Sequence, residues 1–273
     1  MKVFQFNGGR IGVTVGVQSY DLTEALHLDT QSWPPVQMVQ FIANIDHNMP
    51  GILTHALTKK IDVTTVRLDV PISWPNKLLA FPVNYLAHGV EMKSVNRADL
   101  NGFFLKANSS LSGPNDAIVL PDCPGREIHH ECELGIVIGK GGRHISREDA
   151  YNHVFGYACL IDMVVRGKEE RVMRKSYDTF TPFGPWITTS DEVPDPANLQ
   201  TRLWVNDQLR QDANTKDLIV DIPGMIELCS KVATLYPGDI IAAGTPAGVG
   251  PVQQGDRVRI EIEHVGEMTL TVE

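Results

Sequence analysis

Short β-rich runs of apolar residues dominate the pattern of this chain, and stretches with the helical period of 3.6 are few. From residue 2 to residue 21 glycine, β-branched and aromatic residues alternate, which predicts strands. Asp21-Leu22-Thr23-Glu24-Ala25-Leu26 then predicts a short capped helix. The proline-punctuated run Asp69-Val70-Pro71-Ile72-Ser73-Trp74-Pro75 precedes a new apolar segment, Leu78-Leu79-Ala80-Phe81. It divides a small N-terminal unit, residues 1–75, from a larger one, residues 76–273. In the larger unit short β-rich runs recur at residues 103–105, 132–138, 203–205, 240–242 and 258–262. Turn signals such as Val205-Asn206-Asp207, Pro237-Gly238-Asp239 and Gln254-Gly255-Asp256 separate them. Helices are fewer in this unit, expected over 146–154, which opens on Ser with acids following, and over 223–234, which places Pro near its start. The fold class is α+β, dominated by strands, without the strict strand-helix alternation of a doubly wound sheet.

Composition narrows the function classes. The formal net charge of −9 and the absence of any Lys/Arg run argue against a nucleic-acid partner. No stretch of about eighteen apolar residues is available to span a bilayer, and the first residues read as a strand rather than a secretory signal. The expectation is therefore a cytoplasmic protein with no membrane association. Cys123, Cys132, Cys159 and Cys229 contain no CxxC pair and suit reduced thiols in that compartment.

The densest chemistry lies in Glu127-Ile128-His129-His130-Glu131-Cys132-Glu133-Leu134-Gly135-Ile136-Val137-Ile138-Gly139. On a strand Glu131 and Glu133 share one face and Cys132 points to the other. Two adjacent carboxylates are costly to bury unless a cation neutralises them, whereas on a solvated strand edge they need no partner. Asp162 adds a lone acid to a second apolar run, 156–165. Three carboxylates form the hard-oxygen set that suits Mg²⁺, Mn²⁺ or Ca²⁺, and strand alternation separates His130 and Cys132 from that set, which disfavours zinc. A second cluster, Asn84-Tyr85-Leu86-Ala87-His88-Gly89-Val90-Glu91, puts His88 and Glu91 three residues apart on one helical face. There the carboxylate can fix the imidazole tautomer, although an isolated pair of this spacing is also common on plain surfaces. The glycine-rich segments 135–141 and 244–250 lack the spacing and the following helix of a phosphate loop.

Several segments in order resemble the fumarylacetoacetate hydrolase superfamily over roughly residues 77–250. They are Asn84-Tyr85-x-x-His88-x-x-Glu91, Phe103-Phe104-Leu105-Lys106, Glu131-x-Glu133-Leu134 with Asp162, Arg166, and Lys175-Ser176-Tyr177-Asp178-Thr179-Phe180. Gly184-Pro185-Trp186, Gln211-Asp212-Ala213-Asn214-Thr215, Leu235-Tyr236-Pro237-Gly238-Asp239 and Gly244-Thr245-Pro246-Ala247-Gly248-Val249-Gly250 complete the series. The resemblance implies a β-dominated mixed β-roll catalytic domain behind a small N-terminal domain, usually as a homodimer. It implies a Mg²⁺ or Mn²⁺ ion on Glu131, Glu133 and Asp162, and a lid on which His88 and Glu91 activate water. It also implies a catalytic Lys175 and a substrate pocket drawing on Tyr85, Lys106, Arg166 and Thr245. Val165-Arg166-Gly167 and Pro82-Val83 depart from the common pattern at the border of that pocket.

The activity implied is metal-dependent hydrolysis of a carbon-carbon bond in a 2,4-dioxo acid of the acylpyruvate or fumarylpyruvate type, through a stabilised enolate. Decarboxylation of an oxaloacetate-like acid and isomerisation of a hydroxymuconate-type acid use the same enolate without attack by water, so the His88–Glu91 pair favours hydrolysis. A non-catalytic metal or dicarboxylate sensor would leave that pair and Lys175 without a role.

Overall fold

Two strands, β10 (Cys132–Ile138) and β11 (Val154–Ile161), are buried along their whole length because each of their faces meets a different core. Leu134, Ile136, Ile138, Tyr157, Cys159 and Ile161 enter one core, while Val137, Ala158 and Leu160 enter the other. Burial on both faces is what makes their sequences nearly continuous apolar runs. The structure, a computed structural model, describes residues 1–27, 29–45, 57–94 and 97–273.

These strands lie within a twelve-stranded sheet. Beyond β11 come β13 (Thr181–Thr189), β1 (Lys2–Phe6), β2 (Arg10–Val15), β3 (Gln18–Asp21) and β4 (Lys60–Ile61). Beyond β10 come β16 (Ile240–Ala242), β6 (Leu78–Ala80) and β7 (Phe104–Leu105). Off this path, β5 (Leu68–Asp69) pairs with β1, and β8 (Leu111–Ser112) runs parallel to β13. A four-stranded sheet, in the order β15 (Gln208–Asn214), β14 (Gln200–Val205), β18 (Arg257–Ile262), β19 (Gly266–Thr271), contributes Leu203, Val205, Val258, Ile260 and Ile262 to the first core. A three-stranded sheet joins β12 (Val164–Val165), β9 (Ile128–His130) and β17 (Gly250–Pro251). Five short α-helices are described: α1 (Gln37–Ile45), α2 (Leu86–Glu91), α3 (Ala98–Asn101), α4 (Arg171–Lys175) and α5 (Ile222–Val232).

The N-terminal segment is hydrogen bonded to the larger sheet. Lys2 and Val3 of β1 pair with Thr188 and Ile187 of β13, so β1 to β3 extend the sheet. Val3, Ile11 and Val13 pack with Phe41 and Ile42 of α1 in the second core, which also holds Phe183 and Ile187. The β1, β2 and α1 residues thus cover one face of the strands that carry the site.

Two of the expected helices do not form. At residues 21–26 there is only a turn: the Asp21 carboxylate accepts from Thr23 N–H and from Arg10, and the chain leaves through His27 at φ 52°. Over 146–154 only a short 3₁₀ turn forms, Ala150–His153, because Asp149 receives the side chains of Asn152 and His153 and β11 begins at once. The third expected helix is α5, whose N-cap Asp221 accepts from Gly224 N–H at 2.9 Å, with Pro223 in its first turn.

Candidate metal centre and active site

Cys132 pairs with Ile161 across the β10–β11 ladder, so the flanking residues Glu131 and Asp162 face each other at its end. The Asp162 N–H donates to the Glu131 carbonyl at 2.9 Å. Glu133 lies two residues further along β10, while Cys132 joins Leu134 and Ile136 in the first core. All three carboxylates are buried, and they offer oxygens that lie within 4.8 Å of one another.

Two buried lysines compensate part of this charge. Lys175, at the C-terminal end of α4, donates to Glu131 Oε2 at 2.7 Å and Asp162 Oδ2 at 2.5 Å. Lys106 donates to the other Asp162 oxygen and to the Phe180 carbonyl. Burial alone would raise the Glu131 carboxyl, but Lys175, with His88 and Arg166 beyond it, holds it down to about 2. Glu133 is treated differently: burial, followed by the neighbouring Asp162 charge, pushes its carboxyl well above the usual range. Among the described residues its one hydrogen-bond donor is the Gly244 N–H at 2.8 Å. Three acids against two ammoniums leave Glu133 short of positive charge, and a hard divalent cation is what such a set of oxygen donors fits.

Gly244 can approach Glu133 only because it lacks a side chain. It sits at φ +93°, and an added Cβ would lie 2.6 Å from the Asn84 Cβ and 2.9 Å from the Phe81 carbonyl. Further along the same loop the Gly248 N–H donates to Glu91 Oε1 at 2.9 Å, while Glu91 Oε2 meets His88 Nδ1 at 3.1 Å. This ties α2 to the loop, assigns the Nδ1 proton of neutral His88 to the Glu91 contact, and leaves Nε2 as the basic nitrogen.

His88, Glu131, Glu133, Asp162, Arg166, Lys175 and Thr245 line one cavity of about 190 Å³. Arg166 Nη1 is 4.0 Å from Glu131 Oε1, its Nε donates to His129 Nδ1, and its buried Nη2 has no hydrogen-bond partner. Lys106 backs Asp162 from within the core, and Tyr85 is buried at a bridge to Leu218, lining a separate surface pocket. Three residues given no role from the sequence belong to the cavity or its support. Gln211 is fully buried: it donates to Thr245 Oγ1 at 2.8 Å and to the Pro246 carbonyl, and accepts from the Cys132 N–H and at His130 Nδ1. Arg171 and Arg174 stand on the cavity wall. A polar residue buried inside a motif was the available signal for Gln211. The arginines lie in a short helix with no pattern to mark them.

Residues 77–273 match the family model described as fumarylacetoacetate (FAA) hydrolase C-terminal. The chain is 42% identical to maleylpyruvate hydrolase of Aquipseudomonas alcaligenes, in an alignment covering 100% of this chain and 99% of that protein. The crystal structure of maleylpyruvate hydrolase from Sphingobium sp. SYK-6 in complex with manganese(II) and pyruvate superposes with a TM-score of 0.91 at 54% identity, covering 100% and 98% of the two chains. Fumarylacetoacetate hydrolase from Exiguobacterium antarcticum gives a TM-score of 0.85 at 34% identity, covering 100% and 99%.

Proposed function

Because this chain belongs to the fumarylacetoacetate hydrolase family, we propose that it hydrolyses the carbon-carbon bond of maleylpyruvate or a close 2,4-dioxo acid, using a divalent metal. The observation that carries this reading is a buried carboxylate triad in the same cavity as a histidine whose tautomer is fixed by Glu91. When held by Glu131, Glu133 and Asp162, a divalent cation supplies Lewis acidity toward the carboxylate and 2-oxo group of the substrate. The Mn²⁺ and pyruvate of the Sphingobium structure support manganese here as well.

The chain's own groups account for the remaining chemistry. His88 Nε2 takes a proton from water, and Glu91 steadies the imidazolium that results. The hydroxide so formed adds to the distal carbonyl carbon. The bond from that carbon to the methylene then breaks, and its electron pair becomes the enolate of the departing 2-oxo acid. Lys175 and Arg166 offset the negative charge as it develops, and Thr245, held by Gln211, offers its hydroxyl to the substrate carboxylate. A proton delivered to the enolate carbon completes pyruvate, and the distal half leaves as a carboxylic acid. The His88 base is superfluous for simple decarboxylation, which separates this reading from its rivals.

The reading extends to the assembly and its setting. Residues 1–75 form a small covering unit and residues 76–273 the catalytic unit. The working form is a homodimer, supported by family membership and by exposed Leu86, Val90 and Leu100 on α2 and α3. Four free cysteines suit the reducing cytoplasm. No described helix is long and apolar enough to cross a membrane. The test is release of pyruvate from maleylpyruvate, fumarylpyruvate, acetylpyruvate, oxaloacetate and a carboxymethyl-hydroxymuconate, each with Mn²⁺, Mg²⁺ or chelator. Metal-dependent cleavage of the acylpyruvates supports the reading, and turnover of oxaloacetate alone contradicts it.

A further inference from the structure

Positive charge in this cavity extends beyond the lysines that face the triad. The carboxylates on its wall are Glu131, Glu133 and Asp162, and the ammonium of Lys175 already bridges two of them. Arg166, Arg171 and Arg174 add three guanidiniums to the same wall. Among the described residues neither Arg171 nor Arg174 has a carboxylate partner. Arg174 gives Nε to the Glu169 carbonyl at 2.8 Å and Nη1 to the Val165 carbonyl at 3.4 Å, while Arg171 lies over the Phe104 ring, 5.4 Å from its centroid. Of the neighbouring carboxylates, Glu169 forms a two-pronged pair with Arg126, and Glu127 meets His129.

Two like charges held one helical turn apart repel unless an anion sits between them, and guanidiniums are built to bind carboxylates by two parallel hydrogen bonds. Burial, with Arg171 and Arg166 close by, already lowers the Arg174 guanidinium from its ordinary value. The arrangement is anchored. Phe104 supports Arg171, two backbone carbonyls hold Arg174, and Lys175 fixes the end of α4 against the triad. Arg171 therefore stands about one helical pitch from the lysine that marks the metal centre.

We propose that Arg171 and Arg174 form a subsite for the second carboxylate of the substrate, at the end of the acyl chain remote from the 2-oxo acid. The enzyme then selects dicarboxylic 2,4-dioxo acids over those with a neutral tail. The proposal rests on the hydrolase reading above and deepens it by assigning the residues that set specificity. Arg166, nearer Glu131, serves the reacting end, and the two arginines of α4 serve the distal end.

The experiment has two arms. In the first, Arg171→Gln, Arg174→Gln and the double variant are compared with the wild type on maleylpyruvate and on acetylpyruvate, which has a methyl group in place of the acidic arm. Loss of a charge-assisted pair lowers kcat/KM for the dicarboxylate roughly ten- to hundredfold, with acetylpyruvate within about twofold. Equal losses on both substrates, or no loss on either, overturn the proposal. The second arm needs no turnover: maleate is titrated calorimetrically into Mn²⁺-loaded protein already saturated with pyruvate. The wild type binds maleate, and the variants bind it about tenfold or more weakly while pyruvate affinity is kept. Maleate binding that is absent from the wild type, or unchanged in the variants, overturns the subsite. A wild type that binds maleate in this way but cleaves no acylpyruvate would retain the subsite and refute the hydrolase reading. Thermal unfolding of each variant confirms that the fold is intact.

Discussion

Glu133 and Asp162 are both buried acids of one cluster, yet the chain holds them in different ways. Asp162 is paired with both Lys106 and Lys175, whereas among the described residues Glu133 receives only the Gly244 N–H. Asp162→Asn leaves the buried Lys106 without a carboxylate and Lys175 with Glu131 alone, so the metal-free protein should lose about 3 kcal/mol or more of stability. Glu133→Gln keeps an oxygen for Gly244 and strips no ion pair, so its metal-free stability should stay within about 1 kcal/mol of the wild type. Both variants, like Glu131→Gln, should lose metal-dependent turnover. Urea unfolding in chelator, beside Mn²⁺ titration, checks the contrast, and equal destabilisation by the two substitutions would refute this division of roles. That Glu131 and Glu133 share a face was legible in the sequence because of strand alternation. The lysines' pairing was not, since Lys106 and Asp162 are 56 positions apart and no local period connects them.

At the scale of elements, the loop of residues 244–248 does two jobs with its backbone, holding Glu133 through Gly244 and Glu91 through Gly248. Gly248 sits at φ +100°, and an added Cβ would fall 2.0 Å from the Arg210 carbonyl. Gly248→Ala should therefore cost about 3 kcal/mol or more and slow catalysis by displacing Glu91. Unchanged melting temperature and kcat would show that the loop yields freely. A second element-level prediction concerns β2 and β3. Burial would raise the Asp21 carboxyl, but hydrogen bonds from Arg10 and Thr23 outweigh it and hold the group below its ordinary value. A depressed carboxyl stabilises the fold above its unfolded pKa, and that stability is lost as the pH falls through the folded one. Asp21→Asn should flatten the acid limb of a stability-pH profile, and an unaltered limb would contradict it. The strands β10, β11 and β16 were legible as apolar runs, and α5 from its cap region. The turns at 23–27 and 150–153 were not, because a capping residue at a helix start does not report how soon side-chain hydrogen bonds divert the chain.

For the whole molecule, sequence period gave a β-dominated fold but not the partner of each strand. β1 joins β13 across most of the chain, and only the structure shows that β1, β2 and α1 pack into the core behind that sheet. The proposed dimer should appear as a concentration-independent species of twice 30.2 kDa in sedimentation, whereas a monomer across micromolar concentrations would contradict it. In the proposed function, a buried acidic triad holds the metal and the loop-tethered α2 presents His88 to water in the same cavity. The most direct test is the rate of pyruvate release from maleylpyruvate by Mn²⁺-loaded wild type and His88→Ala, with bound metal measured in the same samples. The expected result is a loss of about a hundredfold or more in the variant at unchanged metal content, together with no turnover by either protein in chelator. Undiminished release by His88→Ala, or full release in chelator, would contradict the account.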